Sequence, residues 1–536
     1  MTIEMVTRVI WLLLLCSFTT VGFCSRPNII LIVADDLGWD DVSFHGSEIS
    51  TPNIDELARS GIILNNYYVQ PICTPTRSTI MTGRHPIHTG LQHSVILAPE
   101  PYGLSLDETI MPQYLNKLGY SSHIVGKWHL GFFQKEYTPT YRGFKSHFGY
   151  WLGKEDYFDH VAEVVCMYSG LDFRQDMNVV RNENGSYSTE LFSSAAENII
   201  RSHNTSEPLF LYLAHQAVHA GNGGKDKAVE APAKYVNRFP NIQNEKRRVF
   251  AGMVSALDDS VGNVTRALRE TGMMENSVII FTTDNGGPAN GYDGNAACNY
   301  PLRGLKNTMW EGGVRGTGFV YSPLLQNTGY VSSHMMHVAD WLPTIYRVAG
   351  GDPSEMTTID GYDMWDVLNS RGADVRKEIL HNIDPIQNFS SIRVGDFKLV
   401  TGDISNGRND GWYGCTPPGD DTPSGGDIVE PQAMDSNPVT FSSEDIPIVV
   451  KCGPKPSNLS TNCMPKKAPC LFNIPVDPCE YHNIADQNPN LVEMLLQKIE
   501  DYRKTSVPPR NKPTDPNANP KYYDGAWSCW MDKQTF

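Results

Sequence analysis

The residues with the clearest chemical potential lie in short polar stretches that interrupt aliphatic runs. Cys73-Thr-Pro-Thr-Arg77 opens what reads as a helix: Pro75 suits a first turn, where its missing N–H costs nothing, and Arg77 falls one turn beyond Cys73 on the same side. A group at a helix N-terminus meets backbone N–H donors and a dipole that favour anions. Asp35-Asp36 and Asp284-Asn285 each follow an apolar run, and their three carboxylates and amide oxygen form a hard, all-oxygen donor set suited to Ca²⁺ or Mg²⁺. Zinc would favour clustered His or Cys, which this set lacks. Lys127 and His129 follow another run as Lys-x-His, and a histidine there can carry a proton in mildly acidic conditions. His219 comes after a fourth run, and Lys306 lies in a glycine-bounded loop. Taken singly, Cys73 reads equally well as half of a disulfide, the Asp pairs as polar turns and the lysines as solvated loop residues. For the two Asp-containing pairs, their common place at strand ends separates the two readings.

Those ends belong to a recognisable series of elements. Asn28–Ala34, Pro208–Ala214 and Ser277–Thr283 are continuous apolar runs, the pattern of strands buried on both faces of a parallel sheet, and Ser121–Val125 is a shorter one. Between them Leu106–Leu118 and Arg248–Glu270 carry apolar residues at helical spacing. Strands alternating with helices predict an α/β fold, a large mostly parallel sheet sandwiched by helices, whose ligands sit beyond the carboxyl ends of the strands. After about residue 376 the texture changes: Ile392–Val400 alternates as in an antiparallel strand or hairpin, Leu471–Ile474 is a short strand, and Asn490–Arg503 reads as an amphipathic helix. Residues 25–375 are therefore expected to form the catalytic α/β domain, and 376–536 a smaller, disulfide-rich α+β domain with a long Gly/Pro/Ser/Asp loop near 403–470. No internal repeat is present.

Composition narrows the functional classes. With 536 residues, 40% of them hydrophobic and 10% aromatic, the chain can bury a large core; its net charge of −16 argues against nucleic acid, which needs basic surface. Arg8, the apolar run Val9–Cys16, and the small residues Gly22 and Cys24 describe a secretory signal peptide over residues 1–24, and no other run is long enough to span a bilayer. Sequons at Asn184, Asn204, Asn263, Asn388 and Asn458 suit passage through the ER as glycosylation sites. Of eleven cysteines, nine remain after Cys16 and Cys24 leave with the signal; eight could form four disulfides, and one is odd.

Cys73-Thr-Pro-Thr-Arg77 resembles the C-x-P-x-R motif of type I sulfatases, within the alkaline phosphatase superfamily, and Gly119–Gly131, with its Gly-Lys-Trp-His, resembles that family's second signature. Ala34–Trp39, Phe281–Gly287, Pro301–Lys306, Trp310–Arg315 and His381–Pro385 look like the arylsulfatase B branch, and the resemblance covers nearly the whole mature chain. It implies an alkaline phosphatase-like fold and hydrolysis of sulfate monoesters on sulfated sugars, here N-acetylgalactosamine 4-sulfate groups of dermatan or chondroitin sulfate. It also implies that a formylglycine-generating enzyme converts Cys73 to Cα-formylglycine, whose hydrate offers one hydroxyl to attack sulfur and a second to release sulfate; this would account for the odd cysteine. By the same resemblance Asp35, Asp36, Asp284 and Asn285 hold one Ca²⁺ together with the residue made from Cys73. Arg77 activates the nucleophile, His129 serves as base, and Lys127, His219 and Lys306 contact sulfate, with His219 a candidate acid for the leaving oxygen. A lysosomal destination is expected, with secretion as the alternative.

Two departures stand out: Thr76 replaces a common serine, and Ala220–Gly224 replaces a proline-containing turn. Rival readings are a sulfatase of different glycan specificity, a phosphatase or phosphodiesterase on the same fold, and a non-catalytic glycan-binding relative. A phosphatase would need a second metal site and a Ser or Thr nucleophile, which Cys73 opposes.

Overall fold

The computed structural model describes residues 26–164, 168–222, 227–370, 372–402, 407–416, 448–459 and 462–532. The expected signal peptide, Cys166 and much of the expected 403–470 loop lie outside them. The larger layer is a ten-stranded sheet. Its centre is five parallel strands in the order Ser277–Thr283, Asn28–Ala34, Leu209–Ala214, Ser121–Lys127 and Ser146–Tyr150. Further strands extend it at both sides, joined to it by the antiparallel pairing of Gly318–Tyr321 and of Arg174–Gln175.

The period of two along a strand accounts for the sandwich. Ile29, Leu31 and Val33 enter one core with Ile80, Met81 and Trp341, whereas Ile30 and Ile32 enter the opposite core with Phe250, Val254 and Leu257. The second core is supplied by the helix Glu245–Glu270, which begins three residues before its expected start because the Asn244 side chain caps it by accepting from Arg247 N at 2.9 Å. The helix expected from Leu106 begins instead at Met111 and ends at Lys117: Pro112 occupies its first turn, and Gln113 Oε1 accepts from Ile110 N.

A four-stranded antiparallel sheet, Glu378–Asp384, Phe389–Val394, Phe397–Gly402 and Cys470–Asn473, forms the smaller layer, with the helix Pro489–Thr505 packed on it. The tail then returns to the large layer. Val507 N donates to Ile87 O, and the fully buried Trp527 donates through Nε1 to Ala162 O at 3.0 Å. The small sheet, which begins at Glu378, is thus one layer of a continuously packed molecule.

Lys398 of the small sheet is buried between Glu311 of the large layer and Glu480, at 2.9 Å from each. Glu311 N donates to Glu480 Oε2 at 2.8 Å, and Tyr68 Oη donates to Glu311 Oε2 at 2.8 Å. Burial, with repulsion from Glu311, pushes the Glu480 carboxyl up to about 7 against the pull of Lys398. Burial acts on Glu311 in the same sense, but Lys398 and Arg315 outweigh it and hold that group below the usual carboxylate range.

Among the described residues the disulfides are Cys298–Cys415, Cys452–Cys479 and Cys463–Cys470, with Cys73 and Cys529 free. Five of the six cysteines beyond residue 400 are thus paired, one of them to the large layer. Asn184, Asn204, Asn388 and Asn458 are exposed; Asn263 is half-buried on a helix with its Nδ2 on Ser193 Oγ.

Candidate active site

The site assembles where the central strands end. Asn28–Ala34 delivers Asp35 and Asp36, Ser277–Thr283 delivers Asp284 and Asn285, and Ser121–Lys127 delivers Lys127 with His129 just beyond. His219 follows Leu209–Ala214, and the helix Cys73–Thr82 points its N-terminus at the same spot with Cys73 as its first residue. Gly126 makes the approach of Lys127 feasible: its φ is +96°, and a Cβ there would lie 2.0 Å from Ala214 O. Asp36 and His129 adopt left-handed φ of 64° and 58°, a conformation that strains a side-chain-bearing residue by about 1 kcal/mol or more and concentrates at functional sites.

All ten residues singled out from the sequence as catalytic, sulfate-contacting or metal-holding converge here, and all are buried. Arg77 grips Asp284 through Nε at 3.1 Å and Nη2 at 2.8 Å, and Nη2 also lies 3.4 Å from Asp35. Lys127 Nζ is 2.5 Å from Asp35 Oδ2; Lys306 Nζ is 2.8 Å from Asp36 Oδ2 and 3.1 Å from His219 Nε2. Cys73 Sγ sits 3.7 Å from Asp35 Oδ1. Ligand atoms of Asp35, Asp36, Cys73 and His219 all lie within 4.8 Å of one another, an acidic cluster able to hold a metal ion. Residues 27–351 match the sulfatase family.

The chain belongs to the sulfatase family. Mouse arylsulfatase J is 40% identical to it over 534 residues, covering 95% of this chain and 81% of the relative. Mouse N-acetylgalactosamine-6-sulfatase is 29% identical over 362 residues, covering 64% and 66% respectively. Among solved structures, Ps i-CgsB superposes with a TM-score of 0.71 at 27% identity over 91% of this chain and 94% of its own, and has also been solved with k-i-k-neocarrahexaose. The protein is therefore a sulfuric ester hydrolase, and its relatives and neighbours support action on sulfated sugars.

The electrostatics of the sulfatase pocket follow from burial and from charge matching. Asp35, Asp36 and Asp284 face Arg77, Lys127 and Lys306, so the fixed charges balance. A divalent cation entering on the carboxylate side and an anion on the cation side therefore belong together. Burial and the neighbouring Asp284 push the Asp35 carboxyl up to about 7. Burial also raises Asp284, but Arg77 and Lys127 outweigh it and hold that group low. Burial pushes the Cys73 thiol up, reinforced by Asp284 and Asp35 against Lys127, so as plain cysteine it is an inert thiol at neutral pH. His129 and His219 are kept neutral by burial and by nearby cations. His129 donates Nε2–H to Ile96 O at 3.0 Å, leaving Nδ1 a buried acceptor without a partner among the described residues. His219 donates Nδ1–H to Ala220 O at 2.7 Å, so its Nε2 accepts from Lys306 in this arrangement.

Asn285 Oδ1 and Arg77 Nη1 are likewise buried and unpartnered among the described residues. An orphaned amide oxygen beside three carboxylates fits a hard cation, and an orphaned guanidinium N–H fits an anionic oxygen. The sequence reading passed over Lys154, Gln216 and Asp293, which surround the pocket. They stand in loops with no motif, and only the Lys306–Asp293 approach of 3.2 Å and the strand-end topology reveal them.

Proposed function

We propose that this sulfatase removes the 4-sulfate of N-acetylgalactosamine in dermatan or chondroitin sulfate, using formylglycine at position 73 and one calcium ion, in the secretory pathway and chiefly in lysosomes. A formylglycine-generating enzyme is the maturation partner this reading requires. The carrying observation is the convergence of Arg77, Lys127 and Lys306 with Asp35, Asp36 and Asp284 around buried Cys73, with donor and acceptor atoms left unfilled. The arylsulfatase B-like motifs support the sugar assignment.

Asp35, Asp36, Asp284 and Asn285 would hold the calcium ion, which supplies fixed positive charge beside the reacting sulfate. Formylglycine supplies the hydroxyl nucleophile that a buried thiol cannot. The chain's own residues do the rest. Arg77, Lys127 and Lys306 present three cations to the sulfuryl oxygens and offset charge as it grows there, in a site shielded from water. Arg77 is held rigid by its two bonds to Asp284, which leave Nη1 without a hydrogen-bond partner among the described residues. His129, neutral with Nδ1 open, is in the protonation state a base needs. His219 and Lys306 form the donor–acceptor pair nearest Asp36, from which a proton can reach the leaving oxygen.

The test is a panel of defined sulfated disaccharides assayed from pH 4 to 8, with metal analysis and peptide mapping of the same preparation. The expected result is preference for the 4-sulfate, about one calcium per chain, and formylglycine at 73. Preference for a 6-sulfate, or full turnover by protein whose Cys73 is entirely thiol or disulfide, overturns the assignment it touches.

A further inference from the structure

We infer that Lys154 reads a second anionic group on the substrate, a carboxylate or another sulfate on the sugar unit that carries the scissile ester or on its neighbour. The inference rests on the glycan-sulfate reading of the pocket. Lys154 stands at the middle of a strap, Trp151–Tyr157, that ties the two histidines of the site together. On one side, His129 N donates to Trp151 O at 3.1 Å, and Gly153 packs so tightly on the His129 ring that a Cβ would fall 2.8 Å from Cε1. On the other, Glu155 N donates to Gln216 Oε1 and Gln216 Nε2 returns to Glu155 O, both at 2.8 Å. Gln216 O then accepts from His219 N, and Tyr157 Oη donates to His219 O, again at 2.8 Å.

The Lys154 ammonium emerges from this strap on the His219 side. It donates to Gly221 O at 3.0 Å, two residues past His219. An ammonium has three donors, and among the described residues this is the one hydrogen bond Lys154 makes; no carboxylate there lies in ion-pair contact with it. Lys127 and Lys306, by contrast, each hold a carboxylate. Burial disfavours its charge, and the carboxylates of Asp293 and Glu163 act on it from beyond ion-pair distance, so an arriving anion finds the ammonium open. The sulfate ester, with a single negative charge, already faces Arg77, Lys127 and Lys306 deeper in the pocket. A fourth cation at the mouth has no work to do for that group, but it is suited to a charge elsewhere on the glycan.

The experiment compares three substrates built on the monosulfated sugar the enzyme cleaves best: that monosaccharide, the same sugar with a second sulfate, and the same sugar linked to a uronate. The quantity read is kcat/KM for each doubly anionic substrate divided by kcat/KM for the singly anionic one. Lys154→Gln, which can still donate to Gly221 O, should lower one or both ratios about tenfold, chiefly through KM, while Lys154→Arg should stay near wild type. A fall in the uronate ratio identifies a carboxylate as the partner, and a fall in the disulfated ratio identifies sulfate. Both ratios remaining at the wild-type value in Lys154→Gln would overturn the inference. Failure of the wild-type enzyme on all sulfated sugars would instead strike the glycan reading itself.

Discussion

At the strand ends, Asp35, Asp36 and Asp284 meet Arg77, Lys127 and Lys306; between the two sheets, Glu311 and Glu480 meet Lys398, with Arg315 and Arg393 nearby. Both clusters are buried and made of the same kinds of group. The seam joins its carboxylates through one shared lysine, a tyrosine and a backbone N–H. The pocket instead keeps Arg77 Nη1, Asn285 Oδ1 and His129 Nδ1 unfilled and holds Asp36 and His129 in left-handed backbone. Buried charge alone thus says little about function. Strain and open polar atoms are not confined to the pocket, since Glu480 is left-handed at φ 55° and its Oε1 has an ion-pair partner but no hydrogen bond among the described residues. What sets the pocket apart is that its open atoms belong to side chains gathered at the strand ends around a cluster able to hold a metal ion.

Mutations should separate the two clusters by what each one breaks. Cys73→Ser changes one buried atom and should fold normally, yet lower turnover by at least about a thousandfold; aryl sulfate hydrolysis within tenfold of wild type would show that the nucleophile lies elsewhere. Asp284→Ala should reduce calcium content and turnover together, the latter by about a hundredfold or more. Unchanged calcium by metal analysis would move the ion off this carboxylate. At the seam, Lys398→Met removes the lysine shared by two buried carboxylates, leaving Arg315 and Arg393 near Glu311 and Arg303 near Glu480, and should cost about 3 kcal/mol of stability. Denaturant unfolding that shifts by less than 1 kcal/mol would mean the knot is not structural.

A smaller effect distinguishes the seam by pH. The Glu480 carboxyl is raised in the folded chain to about 7 from an ordinary 4.5, so the folded state holds the proton more tightly than the unfolded one. Its contribution to stability is fully present below about pH 4.5 and is lost as pH rises through about 7. Thermal melts of Glu480→Gln should therefore decline less between pH 5 and 7.5 than those of wild type; parallel curves would refute the assignment. The smallest effect belongs to Thr76→Ser. The Thr76 hydroxyl accepts from Gln70 N at 3.1 Å and donates to Gln70 O at 3.3 Å, contacts a serine can keep. Activity and formylglycine content should stay within about twofold of wild type, and a larger loss would give the Thr76 methyl a role of its own.

Much of this arrangement was legible because parallel strands buried on both faces write themselves as unbroken apolar runs, and whatever follows such a run must surface at the sheet's carboxyl edge. Asp35, Lys127, His219 and Asp284 were readable for that reason. Lys306 and Cys73 needed the family motif as well, since neither ends a strand. Helix starts were less clear: apolar spacing continued past the capping of Met111–Lys117, and Pro112 fixed the true beginning. Lys398 and Glu480 carried no signal at all. In the sequence they look like solvated residues of a hairpin and a turn, and only the docking of two sheets with no chain continuity buries them together. Lys154 was hidden for a related reason, because its position depends on a strap whose anchors, Gln216 and His219, lie some sixty residues away.

The Cys73 side chain is 2% exposed and lies under strands whose partners are far apart along the chain: Asn28–Ala34 must pair with both Leu209–Ala214 and Ser277–Thr283 before the layer exists. The maturation enzyme of the proposed reading would reach that sulfur only while those later strands are still unmade. Synthesis order gives such an interval, since residue 73 leaves the ribosome some two hundred residues ahead of the strand that completes its enclosure. On the proposed formylglycine reading, substitutions that hasten closure of this layer would shorten the time in which the thiol can be reached, and folding speed would itself set how many finished molecules are active.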